Sequence, residues 1–396
     1  MPEFSQSARR MRTSEIRDLM KHAANPALVS FAGGMPNNEL FPTDDIDEVY
    51  ASLPIELKRQ GFQYGPTAGF PPLLDELGTY LRAKGLPVDS NKLIVTTGSL
   101  QAINVTAKVF VDPDDVVLTE YPTFIGAAAA FQSYQANAVG TPMDADGVVP
   151  EELERAYREH PNAKFLYLTP YFHNPAGVLY SAERKAFVKE FVAKNDILLL
   201  EDDPYGELYF HDEDVPLTVP LKADPEIEGK IAYVGSFSKI LGPGMRLGWA
   251  LVPPDIYPKY ELAKQSLDAC SSTFTQVLAS EFLRQGKLPG YLARLREVYH
   301  RRMRAMLDAM NETMPEEASW VEPRGGFYVW IELPERVDAL DVLKTSIENG
   351  AVFVVGKAFD PKGERNNCLR LAYSHTPEDR LADGVRIVAD AIKRAL

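Results

Sequence analysis

GSFSKILGPGMRLGWALV, residues 235–252, sets a polar, glycine-rich turn between two apolar runs. Ile231–Gly235 enters the turn and Leu247–Val252 leaves it, and both have the apolar make-up of buried strands. Runs of the same kind lie upstream at Leu93–Thr97, Val116–Glu120, Ala136–Gly140, Phe165–Leu168 and Ile197–Glu201. Helix-like stretches, among them Gln101–Phe110, Phe124–Tyr134 and Ala182–Asn195, separate most of them. Such alternation predicts an α/β fold with a mainly parallel, seven-stranded sheet flanked by helices on both faces.

From about residue 257 the period turns helical. The charged run YLARLREVYHRRMRAMLDAM, residues 291–310, reads as one long helix bridging two units. A strand (Gly326–Leu333), a helix (Ala339–Asn349), two strands (Val352–Val355 and Cys368–Tyr373) and a final helix from Pro377 then make a second, smaller α/β domain. At the front, a polar arm carries a short helix around Ser14–His22, and FAGGMPNNELFPT, residues 31–43, reads as loop. The expected division is 1–43 as arm and part of the small domain, 44–285 as the large domain and 286–396 as the small C-terminal domain.

Composition narrows the function classes. The 396 residues are 45% hydrophobic and 25% charged, with a net charge of −14. That excess of acid argues against nucleic acid, whose phosphates need a basic face, and against anionic membranes. Two cysteines, Cys270 and Cys368, make neither a disulfide framework nor a thiolate metal site. No secretory apolar segment opens the chain and no apolar run is long enough to span a bilayer, so a cytoplasmic protein is expected.

Three common signatures fail. Gly242, Gly244 and Gly248 miss the G-x-G-x-x-G spacing, and Gly350 and Gly356-Lys357 miss the phosphate-loop spacing. There is no H-E-x-x-H, and His173 reads as a structural histidine. What remains is Lys239 just beyond a strand end, where open α/β sheets bind ligands. Ser236 and Ser238 precede it and Arg246 follows, a set able to gather around a phosphate. Two more strand ends add Glu201-Asp202-Asp203-Pro204-Tyr205 and His173-Asn174-Pro175-Ala176-Gly177. Acidic groups after a buried-type strand need a partner. Asp203 is a better candidate than Asp202 for a helix-capping or solvent-facing group.

In this order the motifs resemble those of fold-type I pyridoxal-phosphate enzymes, specifically class I/II aminotransferases, and most of all the subgroup with 2-aminoadipate and kynurenine aminotransferases. The likeness runs from SEIRDL and SFAGGMPNNELFP at the front to NNCLRLAYS near the end. It implies an aspartate aminotransferase-like fold, with Lys239 as the lysine that carries pyridoxal 5′-phosphate as a Schiff base and then moves the substrate proton. Ser236, Ser238, Arg246 and the helix-opening turn Gly98, Ser99, Leu100 and Gln101 would hold the phosphate. Asp202 would face the ring nitrogen, Asn174 and Tyr205 its phenolic oxygen, and Tyr121 the ring face. Arg370 would bind the substrate carboxylate, with Asn174 and the Gly34 loop beside it. Tyr64 would come from the partner subunit of a homodimer with a shared active site, and Arg17 would meet a distal carboxylate. Ala176 departs from the family's usual threonine.

The implied activity is ping-pong transfer from an L-amino acid (2-aminoadipate, aromatic or large aliphatic) to 2-oxoglutarate. A C–S lyase or decarboxylase on the same fold is the alternative. A regulator with a fused DNA-binding domain is disfavoured by the short stretch before the first motif and by the acidic charge.

Overall fold

A computed structural model describes residues 2–10, 25 and 27–396. The expected helix at Ser14–His22, with Arg17 on it, lies outside the described residues. The large sheet runs, from one edge, Lys92–Thr96, Gly248–Val252, Ile231–Ser236, Leu198–Asp203, Phe165–Leu168, Val116–Tyr121, Asn137–Asp144 and Gly147–Val148. The five strands from Ile231–Ser236 to Asn137–Asp144 are parallel, and Gly248–Val252 is antiparallel to both neighbours. The sheet therefore has eight strands where seven are expected. The extra one is a two-residue antiparallel return paired with Met143 and Asp144, too short to show as a periodic run.

Alternate residues of each strand enter different cores. Leu118, Leu166, Leu199, Tyr233 and Leu251 pack into one cluster, and Val117, Phe165, Leu200, Val234 and Ala250 into another on the opposite face. Burial on both faces is why these strands are apolar throughout instead of alternating. Ser181 caps the helix Ala182–Lys194 by accepting the Arg184 N–H, which relieves one unpaired first-turn amide.

A four-stranded antiparallel sheet, in the order Ser319–Trp320, Tyr328–Glu332, Cys368–Ala372 and Val354–Val355, builds a third core with the helices Ala339–Asn349 and Glu378–Ala395. The expected strand Val352–Val355 divides. Ala351–Val352 instead pairs in parallel with Val29–Ser30, which ties the front of the chain to its C-terminal part. The long charged run lies within one helix, Leu288–Thr313. Its Tyr291, Leu295 and Tyr299 join the core of the large sheet, and its Met303, Met306 and Met310 join the third core. No helix among the described residues is long and apolar enough to cross a membrane.

Candidate active site

The carboxyl ends of the parallel strands share one edge of the large sheet, and the chemistry-bearing residues follow from there. Leu198–Asp203 ends in Asp202 and Asp203, Ile231–Ser236 ends in Ser236, and Val116–Tyr121 ends in Tyr121. Between Ile231–Ser236 and Lys92–Thr96 lies the start of Gly248–Val252, with Gly248 in register with both Thr96 and Ser236. A Cβ on Gly248 would stand 2.7 Å from the Gly98 carbonyl carbon and 2.8 Å from the Ser99 nitrogen. Only glycine lets the helix Ser99–Phe110 start so close to the strand.

That helix start forms an anion cradle. The N–H groups of Ser99 and Leu100 open the first turn, where no intrahelical acceptor exists. The Gln101 N–H is committed to the Gly98 carbonyl, and its side chain braces the turn by accepting from Thr97 N and donating to Asp268. Arg246 adopts a left-handed backbone (φ 50°, ψ 46°) and donates to the Thr97 carbonyl at 3.1 Å. Its Nη2 would lie 3.2 Å from a Cβ on Gly98, so the guanidinium overhangs the same turn. Ser236 Oγ accepts the Ser238 N–H at 3.1 Å.

Lys239 projects from this turn into a buried space. Its Nζ donates to the Gly34 carbonyl at 2.9 Å and stands 5.7 Å from the Tyr205 ring and 5.5 Å from the Phe327 ring. Burial, and then the charge of Arg370, hold its amine down to about 8, because both disfavour the ammonium form. Arg370 is only 6% exposed. It donates through Nη1 to Asn174 Oδ1 at 2.9 Å and through Nη2 to the Ala32 carbonyl at 2.7 Å. Among the described residues its Nε has no hydrogen-bond partner. Because Asn174 accepts from Arg370 through its oxygen, its NH2 group remains as a donor.

Asp202 is 1% exposed. Its Oδ2 accepts from the Tyr167 hydroxyl at 2.8 Å, while Oδ1 is buried without a partner. Burial pushes its carboxyl up to about 7. Asp203 turns away, accepting from Gly206 N and the Tyr233 hydroxyl; it is buried at the strand end and caps no helix among the described residues, contrary to the expectation of a helix-capping or solvent-facing group. His173 is fully buried, with Nδ1 accepting the Ala176 N–H and Nε2 3.1 Å from Glu120. Tyr121 donates to Asp360 Oδ2 at 3.2 Å. Burial, reinforced by that carboxylate, raises its hydroxyl above the usual range.

Two expected residues stand apart from this cluster in the single chain. Tyr64 is 86% exposed and the Leu100 side chain faces solvent. Several contacts went unread in the sequence. Tyr328 and Phe327 wall the lysine and arginine, Phe359 lies 4.8 Å from Arg370, and Tyr167 holds Asp202. The one local sign is a hydroxyl in an otherwise apolar strand, since a buried tyrosine hydroxyl needs a partner.

Among the described residues Asp202 Oδ1 is buried without a partner and suits a cationic donor, and the turn between Gly98 and Arg246 suits an anion, with the Lys239 amine beside them. Comparison with known proteins shows the family. The family described as Aminotransferase class I and II matches residues 37–386. The chain is 36% identical to aromatic-amino-acid aminotransferase 1 of Thermococcus litoralis, covering 99% of this chain and 94% of that one. It is 35% identical to the 2-aminoadipate transaminase of Thermus thermophilus, covering 99% and 97%. The crystal structure of Pyrococcus horikoshii kynurenine aminotransferase, in complex with PMP, superposes with a TM-score of 0.95 at 36% identity, covering 99% and 97%. The chain belongs to the class I and II aminotransferases, and it is a pyridoxal-phosphate-dependent transferase of amino groups. When bound, that cofactor acts as an electron sink for the bonds at the substrate's Cα.

The geometry gives Arg370 a testable duty. Arg370→Lys keeps the charge but loses the planar fork that a carboxylate meets on two sides. It is expected to raise KM for the amino acid and lower kcat/KM by ~10- to 100-fold, the scale of one charge-assisted hydrogen bond. The cofactor's visible spectrum should stay unchanged. Steady-state kinetics with a full spectrum check both halves.

Proposed function

We propose that this aminotransferase takes the amino group of L-2-aminoadipate or of an aromatic or large aliphatic L-amino acid and passes it to 2-oxoglutarate in two half-reactions at one site. The observation that carries this reading is Arg370. It is a buried guanidinium with a free Nε, fixed between Asn174 and the Ala32 carbonyl, within electrostatic reach of the Lys239 amine. An α-carboxylate placed there sets Cα near a base that can lift its proton. The names of the relatives favour the same donors. A panel of donors against 2-oxoglutarate and other 2-oxo acids tests the choice, with parallel double-reciprocal lines expected for the two-half scheme. Intersecting lines, or no turnover of any of these donors, would overturn it.

In this reading Ser236, Ser238, Arg246 and the first-turn amides after Gly98 hold the phosphate. Asp202 meets the ring nitrogen, Asn174 and Tyr205 the phenolic oxygen, and Tyr121 the ring face. The enzyme works as a cytoplasmic homodimer. Phe62 and Tyr64, both largely exposed in the single chain, are suited to enter a second copy. A shared site makes a specific demand. Tyr64→Ala and Lys239→Ala should each be nearly inactive alone. Mixed under subunit exchange they should regain up to about a quarter of wild-type activity, because one site of each two-fold heterodimer is whole. No recovery on mixing would exclude a Tyr64 contribution across the interface.

A further inference from the structure

Tyr328 sits where three site residues meet. Its hydroxyl is 2.9 Å from that of Tyr205, and its ring lies 4.4 Å beneath the Arg370 guanidinium. It also presses on Gly34 so closely that a Cβ there would fall 1.9 Å from the hydroxyl oxygen. Sheet register explains the meeting. Tyr328 opens the strand Tyr328–Glu332 opposite Ala372, two residues along from Arg370, so it and Arg370 are diagonal neighbours on one face.

Both hydroxyls are buried, and each has one proton to give. Among the described residues neither hydroxyl makes another hydrogen bond, so either can be the donor within the pair. If Tyr205 gives its proton to the phenolic oxygen of the cofactor, it can only accept from Tyr328. We propose that Tyr328 is a positioning residue for transamination: its hydroxyl donates to the Tyr205 oxygen, so that the Tyr205 proton is presented to the phenolic oxygen of the cofactor. The proposal rests on the reading of Tyr205 given above. Donors in series polarise one another, so the Tyr205 hydrogen bond strengthens. With the cofactor bound, that bond would compete with Lys239 for the phenolic oxygen, so the Lys239 nitrogen would release its proton at lower pH. The other titratable and charged groups facing the pair are Lys239, Arg370, Asp202 and Tyr373.

Tyr328→Phe removes only the hydroxyl and keeps the ring under Arg370. The measurement is the pH titration of the visible band of the holoenzyme. The midpoint should rise by roughly 0.3–1 pH unit in Tyr328→Phe, the scale of one net hydrogen bond. Tyr205→Phe should raise it further, and the double variant should match Tyr205→Phe alone. Cofactor-free Tyr328→Phe should also bind pyridoxal phosphate a few-fold more weakly. A midpoint at the wild-type value in Tyr328→Phe, with Tyr205→Phe shifted, would overturn this proposal and leave the Tyr205 reading standing. An unshifted Tyr205→Phe, or a wild type with no titrating band, would overturn both.

Discussion

Lys239→Ala should abolish the visible absorption band of the holoenzyme and lower transamination by on the order of 10⁴-fold, the upper end for a positioned acid–base group. The amine is poised for the work by its surroundings. Burial and Arg370 hold it down to about 8 from an ordinary 10.5. At pH 8 about half of it is unprotonated and able to accept a proton, where an exposed lysine would have well under one per cent. Among the described residues the one hydrogen bond of its amine is to the Gly34 carbonyl, an acceptor that holds the chain end in place without neutralising it. Alanine leaves that carbonyl without its donor and the Tyr205 and Phe327 rings without the lysine beside them, and the variant is expected to fold and bind the cofactor without a covalent link. Small primary amines added to the solution should restore a fraction of the rate. Retention of the band in Lys239→Ala would sink the assignment.

Asp202→Asn should be the next most damaging change. Removing one partner of a buried charge pair costs ~3–5 kcal/mol, so turnover is expected to fall by roughly 10²- to several 10³-fold. The same substitution has an opposite signature in the cofactor-free chain. In the folded state the Asp202 carboxyl titrates at about 7 against 3.8 for the ordinary group. Between those values the folded chain holds a proton that the unfolded chain has released, so folding stability falls as pH rises, by ~1.4 kcal/mol per pH unit. Above 7 the loss is complete. Asp202→Asn removes that slope while its amide oxygen can still accept from Tyr167. Cofactor-free wild type should therefore lose melting temperature between pH 5 and 7 relative to Asp202→Asn, and cofactor binding should abolish the difference by supplying a cationic donor to Oδ1. Equal pH slopes in the two cofactor-free proteins would refute the buried-carboxyl account.

Much of the fold was legible because its information is local. The seven main strands appear as apolar runs because both sheet faces are covered. The loop at 31–43 and the long helix Leu288–Thr313 follow from glycine and proline content and from period. The helix Pro71–Ala83 went unread, although its two opening prolines sit where proline is well tolerated, in a first helical turn. The two-residue strands Val29–Ser30 and Gly147–Val148 carry no period at all.

The candidate site divides along the same line. Lys239, Asp202 and Asn174 stand at or beyond the ends of apolar runs and Arg246 follows the glycine-rich turn, whereas Arg370 is implied only by the resemblance to the family. Tyr167 and Tyr328 went unread, because a tyrosine in a strand reads as core. Only the pairing of Phe165–Leu168 with Leu198–Asp203 sets Tyr167 beside Asp202.

By itself, then, the sequence determined which chemical groups stand at the strand ends and which family of enzymes assembles them in that order. The tertiary structure decided which buried side-chain atoms find no partner among the described residues, including Asp202 Oδ1 and Arg370 Nε, and that the helix after Gly98 starts without a side-chain cap. It also decided that Lys239 meets Gly34 across 205 residues and that Arg370 meets Asn174 across 196. The physical reason is range. Periodicity and turn chemistry act over a few residues, whereas contacts between distant segments, and the burial that moves an amine to about 8 and a carboxyl to about 7, depend on the register and packing of the whole folded chain.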